Sequence, residues 1–287
     1  PIIIAPNPPK PPNPPKPPNP PKPIKRSKSL PSNMDIYNYN EYNECKHNLF
    51  NTIDLSNLTY FDTHILDKIL VNSQPLTRTL KPYEETEIKT LSRCDSNFLK
   101  LYYLGESFKT NYEFGIKDLD DYYIFIANDH IMYRYKTISK LGKGSYGRVI
   151  KCFDNKNNFN CALKICRNNY NFNEAYRSEV SILKILNYNV YNYSRISKTK
   201  SDLISIIYKT FIWRGHGIIS LKLYDNNLHN ANIKEYSINP LKVIMIDMFE
   251  ALNYCKKQGI IHGDLKPENI FFINNKSYNI VIGDFGL

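Results

Sequence analysis

The sequence predicts an α+β fold, and three observations carry that prediction. Strand-like segments flank a glycine-rich stretch at Leu141 to Val149, with no helix start after it. Ala175, Ile182, Leu183 and Leu186 form an apolar stripe that marks one helix over Asn173 to Leu186. A second helix over Leu241 to Gln258 presents Val243, Ile246, Met248, Phe249 and Leu252, closes at Gly259, and delivers the chain to a polar loop. A length of 287 residues with 42% hydrophobic content is enough for a sizeable core and one or two domains.

The formal charge of +11 is unevenly placed, because Lys10, Lys16, Lys22, Lys25, Arg26 and Lys28 fall in the first thirty residues, which hold no Asp or Glu. Such a tail can meet nucleic acid, an anionic surface or an acidic partner, or stay solvated; nucleic-acid binding is not the expectation here. Six cysteines without CxxC pairs suggest neither a zinc site nor a disulfide framework and fit an intracellular protein of the cytoplasm or nucleus. No apolar run reaches the length of a membrane span, so no membrane partner is expected. The chain opens on Pro1 rather than Met and reads as a piece of a longer product.

In chain order, residues 6 to 23 repeat PNPPKP, which predicts an extended polyproline II rod. It suits either a spacer or a ligand for proline-reading modules. PIKRSKS, at Pro23 to Ser29, has the composition of a weak nuclear-import patch. Residues 1–73 as a whole are expected to be a disordered tail, apart from a turn and a half of helix around Ile65, Leu66, Ile69 and Leu70. A small accessory region is expected over 74–129. In it Glu84, Glu85 and Glu87 follow a proline and suit a helix start, while Leu101 to Leu104 and Tyr122 to Ile126 read as short strands. Residues 130–287 then form the main domain.

Leu141 to Val149 reads LGKGSYGRV, with glycines that let backbone lie over phosphates without a Cβ in the way. A dinucleotide-binding fold shares that spacing but demands a helix next; RVIKCF is strand-like, so a hairpin is predicted. Cys161 to Ile165, CALKI, is a strand with Ala162 and Lys164 on one face. LISIIYKTFIWRGH and GIISLKLYD, after a polar insertion at Tyr188 to Lys200, read as two more strands. Ile261 to Ile270 reads IHGDLKPENI, and Gly283 to Gly286 reads GDFG.

Those last two motifs resemble the catalytic loop and magnesium loop of eukaryotic protein kinases, and the resemblance implies a bilobal kinase fold with a complete N-lobe sheet, its helix, and the start of a helical C-lobe. It implies ATP and Mg as cofactors and protein substrates as partners. Asp264 would orient the substrate hydroxyl, Lys266 would neutralise the moving phosphoryl, and Asn269 with Asp284 would hold magnesium. The ATP site would comprise Leu141, Gly142, Gly144, Ser145, Tyr146, Gly147 and Val149 above the nucleotide and Ala162 against the adenine. Lys164 would reach the phosphates, held by Glu179 from the helix. Leu221 takes the gatekeeper place, Lys222, Leu223 and Tyr224 the adenine-bonding backbone, and Asp225 the ribose edge or a helix cap. Phe271 takes a floor position that is usually Leu, and His262 and Phe285 stack with Leu183.

Within the kinases, DHIMYRY at Asp129 to Tyr135, YYLG and the LTxxE-like helix resemble the region preceding the kinase domain in the dual-specificity tyrosine-regulated (DYRK) family of the CMGC group. Gly263 in place of the arginine of HRD agrees, while Leu221, Lys222, Gly283 and Leu287 depart from it. The family implies phosphorylation of Ser or Thr and autophosphorylation on Tyr. A CDC-like or homeodomain-interacting kinase is the neighbouring alternative, and a non-catalytic kinase-derived scaffold is the alternative from another class. The chain stops at Leu287, before an activation segment, so activity is assigned to a longer parent. The Leu241 helix face and Ile260, Ile261, Ile270, Phe271 and Phe272 are expected to lack much of their cover.

Overall fold

The computed structural model describes residues 60–73, 76, 78–94, 100–105, 117–193, 203–232, 236–274 and 277–285. The proline repeat and the basic patch lie outside them. Helices α1 (Tyr60–Asn72) and α2 (Pro82–Cys94) come first, then strands β1 (His130–Ile131), β2 (Tyr135–Gly144), β3 (Gly147–Asp154) and β4 (Phe159–Cys166). Helix α3 (Tyr170–Tyr193), strands β5 (Ile207–Trp213) and β6 (His216–Lys222), and helix α4 (Ile238–Lys257) follow; β7 (Ile270–Phe272) and β8 (Ile280–Ile282) close the described chain.

The first six strands form one sheet in the order β1-β2-β3-β4-β6-β5, every pair antiparallel. The predicted hairpin is present: Gly144 opposes Gly147 across a two-residue turn, and β2 shifts register near Ile138 and Leu141. β4 is central, and its last six residues are all buried. Alternation sends Cys161, Leu163 and Ile165 to one face and Ala162, Lys164 and Cys166 to the other. The first set joins a core with Ile131, Tyr133, Tyr135, Ile150 and Trp213 that also contains Leu66, Ile69, Ile88, Leu101 and Leu104. Cys166 joins a second core with Tyr176, Leu183 and Leu186 of α3, Ile270 and Phe272 of β7, and Phe285. Each core removes a set of large apolar side chains from water, the dominant favourable term in folding.

Several expectations are corrected by this arrangement. Residues 60–72, placed in the disordered tail, form a 13-residue helix whose Leu66 and Ile69 are buried in the first core. Ser73 ends that helix by donating to the Ile69 carbonyl at 2.5 Å and accepting the Leu101 N–H at 2.7 Å. Leu101 to Leu104 is not a strand, because its acceptors come from a single residue: the N–H groups of Tyr102 and Tyr103 both reach the Tyr133 carbonyl, at 2.8 and 3.0 Å. Tyr122 to Ile126 is not a strand either, with one bridge between Tyr123 and Lys117. The predicted helices at 173 and 241 begin earlier, at Tyr170 and Ile238, and the first runs to Tyr193, into the expected insertion.

Helix α2 starts where its carboxylates suggested, and the local reason is a cap. Glu84, fully buried, accepts the Lys81 N–H at 2.8 Å and bonds from Arg78 Nη1 and Nη2 at 2.8 and 2.6 Å, which satisfies a donor left over at the helix start. Helix α4 buries Pro240, Ile244, Ala251, Tyr254 and Cys255. Of its predicted apolar face, Ile246 and Phe249 are 58% and 60% exposed. Ile261 is exposed too, but Ile270 and Phe272 are covered by the second core, contrary to expectation.

Candidate active site

Lys164 stands on β4 opposite Ile219 of β6 and Val149 of β3, inside the sheet and 9% exposed. Its Nζ donates to Glu179 Oε1 and Oε2 at 2.6 and 2.7 Å and to Asp284 Oδ1 at 2.6 Å. Glu179 is brought there by the packing of α3, whose Tyr176, Leu183 and Leu186 face the second core. Burial works against the Lys164 charge, but the Glu179 and Asp284 carboxylates outweigh it and hold its pKa above the ordinary lysine value. The sequence pointed to the Glu179 contact; the bond from Lys164 to Asp284, 120 positions on, had no sequence signal.

Above this lysine lies the β2–β3 hairpin. Leu141, Gly142, Gly144, Ser145 and Tyr146 are exposed, and a Cβ at Gly142 or Gly144 would meet nothing within 4 Å. Gly147 differs: a Cβ there would overlap the Ile165 carbonyl and lie 2.9 Å from Cys166 Cα, so glycine is what lets β3 approach β4. Ala162 shares the Lys164 face and pairs with half-buried Leu221. Beyond β6 the chain is held beside β5, with Lys222 N–H donating to the Ile206 carbonyl at 2.9 Å and Ile206 N–H to Tyr224 Oη at 3.2 Å. Leu223 is half-buried and Asp225 exposed; no helix follows Asp225 within the described residues to 232, which removes the capping role.

The same connection runs along β7. Phe272 N–H donates to the Asn226 carbonyl at 2.8 Å, Leu228 N–H donates to the Ile270 carbonyl at 2.8 Å, and the Tyr224 and Phe271 rings stack at 5.9 Å. Phe271 thus lies beside the segment it was expected to underlie. A Cβ at Gly283 would sit 3.0 Å from Phe271 Cε2 and 3.2 Å from Ser205 Cβ. The two departures from the family pattern therefore fit each other: beside Phe271 a side chain before Asp284 would be tightly packed and its neighbours would have to shift by a few tenths of an ångström.

On the loop after α4, Asp264 accepts Lys266 Nζ at 2.6 Å on Oδ2. Asn269 Nδ2 donates to the Asp264 carbonyl at 2.9 Å and to its Oδ2 at 3.3 Å. The Lys266 ammonium beside it holds the Asp264 carboxyl below the ordinary range, so Asp264 is an ionised acceptor at neutral pH. Gly263 has φ +81°, a backbone conformation that a side chain disfavours. Gly283 joins the two loops: its N–H donates to the Asn269 carbonyl at 2.9 Å, and its carbonyl lies 3.0 Å from His262 Nε2. His262 and Phe285 contact at 4.6 Å between ring centroids, as expected, with Leu183 in the same core as Phe285. Asp284 has φ +60°, the kind of backbone strain that clusters at functional sites.

Asn269 spends its amide nitrogen on Asp264, which leaves its amide oxygen, a lone-pair acceptor, for other use; Asp284 adds a carboxylate that is 41% exposed. One amide and one carboxylate oxygen are a hard, incomplete set that suits a divalent cation drawing its other ligands from phosphate and water. Among the described residues no cluster of three His, Cys, Asp or Glu offers an all-protein cage.

Residues 135–287 match the protein kinase domain family. The chain is 31% identical to human dual specificity tyrosine-phosphorylation-regulated kinase 4 over 220 residues, which is 72% of this chain and 39% of that protein. It is 32% identical to the fission yeast (Schizosaccharomyces pombe) serine/threonine-protein kinase ppk5 over 224 residues, 73% of this chain and 25% of that one. With Drosophila melanogaster dual specificity tyrosine-phosphorylation-regulated kinase 2 it shares 31% identity over 204 residues, 66% of this chain and 27% of the relative. The chain therefore spans well under half the length of these curated relatives.

Proposed function

The chain belongs to the protein kinase family, and on that premise we propose that its parent protein transfers the γ-phosphoryl of ATP to Ser and Thr hydroxyls of protein substrates, with autophosphorylation on Tyr as in its dual-specificity relatives. The observation that carries the proposal is the bond of Lys164 to Glu179 at 2.6 Å, because a buried lysine held by a helix carboxylate has the placement that phosphate binding requires.

In this reading the hairpin from Leu141 to Val149 covers the nucleotide, Ala162, Leu221, Leu223 and Phe271 enclose the base, and Asp225 faces the ribose. Lys164 contributes charge to the phosphates. Asp264, ionised and exposed to solvent, accepts or orients the proton of the incoming hydroxyl, and Lys266, 2.6 Å from it, balances charge on the transferred group. Asn269 and Asp284 would hold magnesium, which supplies charge neutralisation at the phosphates when bound. Catalysis is then mostly positioning and electrostatics, since the phosphoryl group asks for little covalent chemistry from the protein. The proline repeat at residues 6–23 is proposed as a ligand for proline-reading modules.

The test is phosphate transfer from ATP to a basic protein substrate by the intact protein and by Asp264→Asn. The variant is expected to lose about 100-fold or more in kcat while still binding nucleotide. Transfer at the same background rate in the two proteins would overturn the assignment of Asp264 and the enzymatic reading with it.

A further inference from the structure

Residues 117–123 precede the segment that matches the kinase family, yet they grip its glycine-rich hairpin. Asp118 Oδ1 accepts the N–H groups of Asp120 and Tyr122 at 3.1 and 2.9 Å, which folds the segment into a compact turn. Tyr122 leaves that turn 8% exposed, and its hydroxyl donates to the Gly144 carbonyl at 2.8 Å. Three cations stand around its ring: Lys143 Nζ at 4.1 Å from the centroid, Arg167 Cζ at 4.7 Å and Arg148 Cζ at 5.4 Å. Arg148 is paired with Asp118 at 2.8 Å, and Arg167 Nε donates to the Asp120 carbonyl at 2.7 Å. On its other side the turn reaches the start of α3, where the Asp121 carbonyl accepts the Asn168 N–H at 2.9 Å.

The strand register identifies the face. Lys143 opposes Arg148, which opposes Ile165, whereas Gly142 opposes Val149, which opposes Lys164. Opposed residues share a face and successive ones alternate, so Tyr122 covers the side of the hairpin away from Lys164. Two carbonyls of the tip are taken from that side, Gly144 by Tyr122 and Ser145 by Arg167 Nη1 at 3.4 Å, while the Tyr146 carbonyl accepts the Arg167 backbone N–H at 3.0 Å. A trans peptide sets the next N–H opposite its carbonyl, so the N–H groups of Ser145 and Tyr146 are turned away from Tyr122 and Arg167. Successive N–H groups turned one way form an anion-binding concavity.

We propose that Tyr122 is a positioning residue for nucleotide binding, its hydroxyl holding the Gly144 carbonyl so that the hairpin tip offers its N–H groups to a nucleoside triphosphate. The proposal rests on the ATP reading above and assigns a part in it to a residue outside the matched family region. Tyr122→Phe keeps the ring and its cations and removes only the donor. It is expected to weaken binding of a fluorescent ATP analogue about three- to tenfold, the effect of one neutral hydrogen bond. KM for ATP rises by the same factor, while kcat stays at the unaltered protein's value and the melting temperature without nucleotide falls by no more than a few degrees. Tyr122→Leu, which also loses the ring, is expected to lower that melting temperature as well. Unchanged analogue affinity in Tyr122→Phe would overturn the proposal, as would a fall in kcat at unchanged KM. Asp264→Asn runs alongside: it binds the analogue normally if the kinase reading holds, whereas failure of the unaltered protein to bind overturns that reading and the role of Tyr122 together.

Discussion

Asp129 shows how a single buried group sets a pH dependence. It is 4% exposed, accepts the His130 N–H at 2.7 Å, and its Oδ2 has no hydrogen-bond partner. Burial pushes its pKa up to about 6, against the pull of the His130 N–H and the Arg214 guanidinium. A folded pKa above the unfolded value means that the native state holds the extra proton between them. Asp129 therefore contributes stability that is fully present below about pH 4 and is lost as pH rises through about 6. Asp129→Asn is expected to remove that slope and to gain up to about 3 kcal/mol relative to the unaltered protein above pH 7. Denaturant titrations of both proteins from pH 4 to pH 8 check it. The residues of the phosphoryl site were legible because Asp264, Lys266 and Asn269 sit within six positions, where a local motif fixes their spacing. Tyr122 was not, since an aromatic in an acidic turn carries no period, and its partner Gly144 lies 22 positions away.

Among elements, α2 is held to the sheet by a charge cluster that joins distant parts of the chain. Arg214, in the β5–β6 turn, donates to both Glu87 oxygens at 2.6 and 3.0 Å, and Tyr133 Oη donates to the same carboxylate at 2.7 Å. Removing the guanidinium strands a carboxylate that is 20% exposed, so Arg214→Ala is expected to cost about 2–3 kcal/mol, below the range for a fully buried pair, read by chemical denaturation. The double variant Glu87→Leu with Arg214→Met should recover much of that loss, because no uncompensated charge remains. Helix α2 was visible from its own acidic start. Its docking was not, because Glu87 and Arg214 are 127 positions apart. The hairpin was readable from glycines between strand-like flanks, whereas Leu101 to Leu104 misled because its aromatic string lies beside one tight turn at Tyr133 rather than a full strand.

For the described molecule as a whole, no boundary falls at residue 130. Leu66, Ile69, Ile88, Leu101, Leu104 and Tyr123 share one core with Ile131, Tyr133, Ile150, Leu163 and Trp213, so the accessory region forms one side of the sheet's own packing. A chain beginning at residue 129 would expose that face, and loss of a cooperative melting transition is the expected outcome, measured by circular dichroism or calorimetry. The two-core layout was legible only in half: sequence motifs marked the side that carries Lys164, and the opposite side is built from scattered tyrosines and leucines that no motif joins.

Lys164 has three N–H donors, and Glu179 and Asp284 engage all three. Its ammonium is saturated, so an incoming anion exchanges with a resident carboxylate instead of joining it. Glu179 is buried and fixed by its helix, while Asp284 is 41% exposed and comes from a loop, which makes Asp284 the one to depart. The carboxylate released in that exchange is the one suited to a divalent cation, so nucleotide and cation would each favour the other's binding by the same factor.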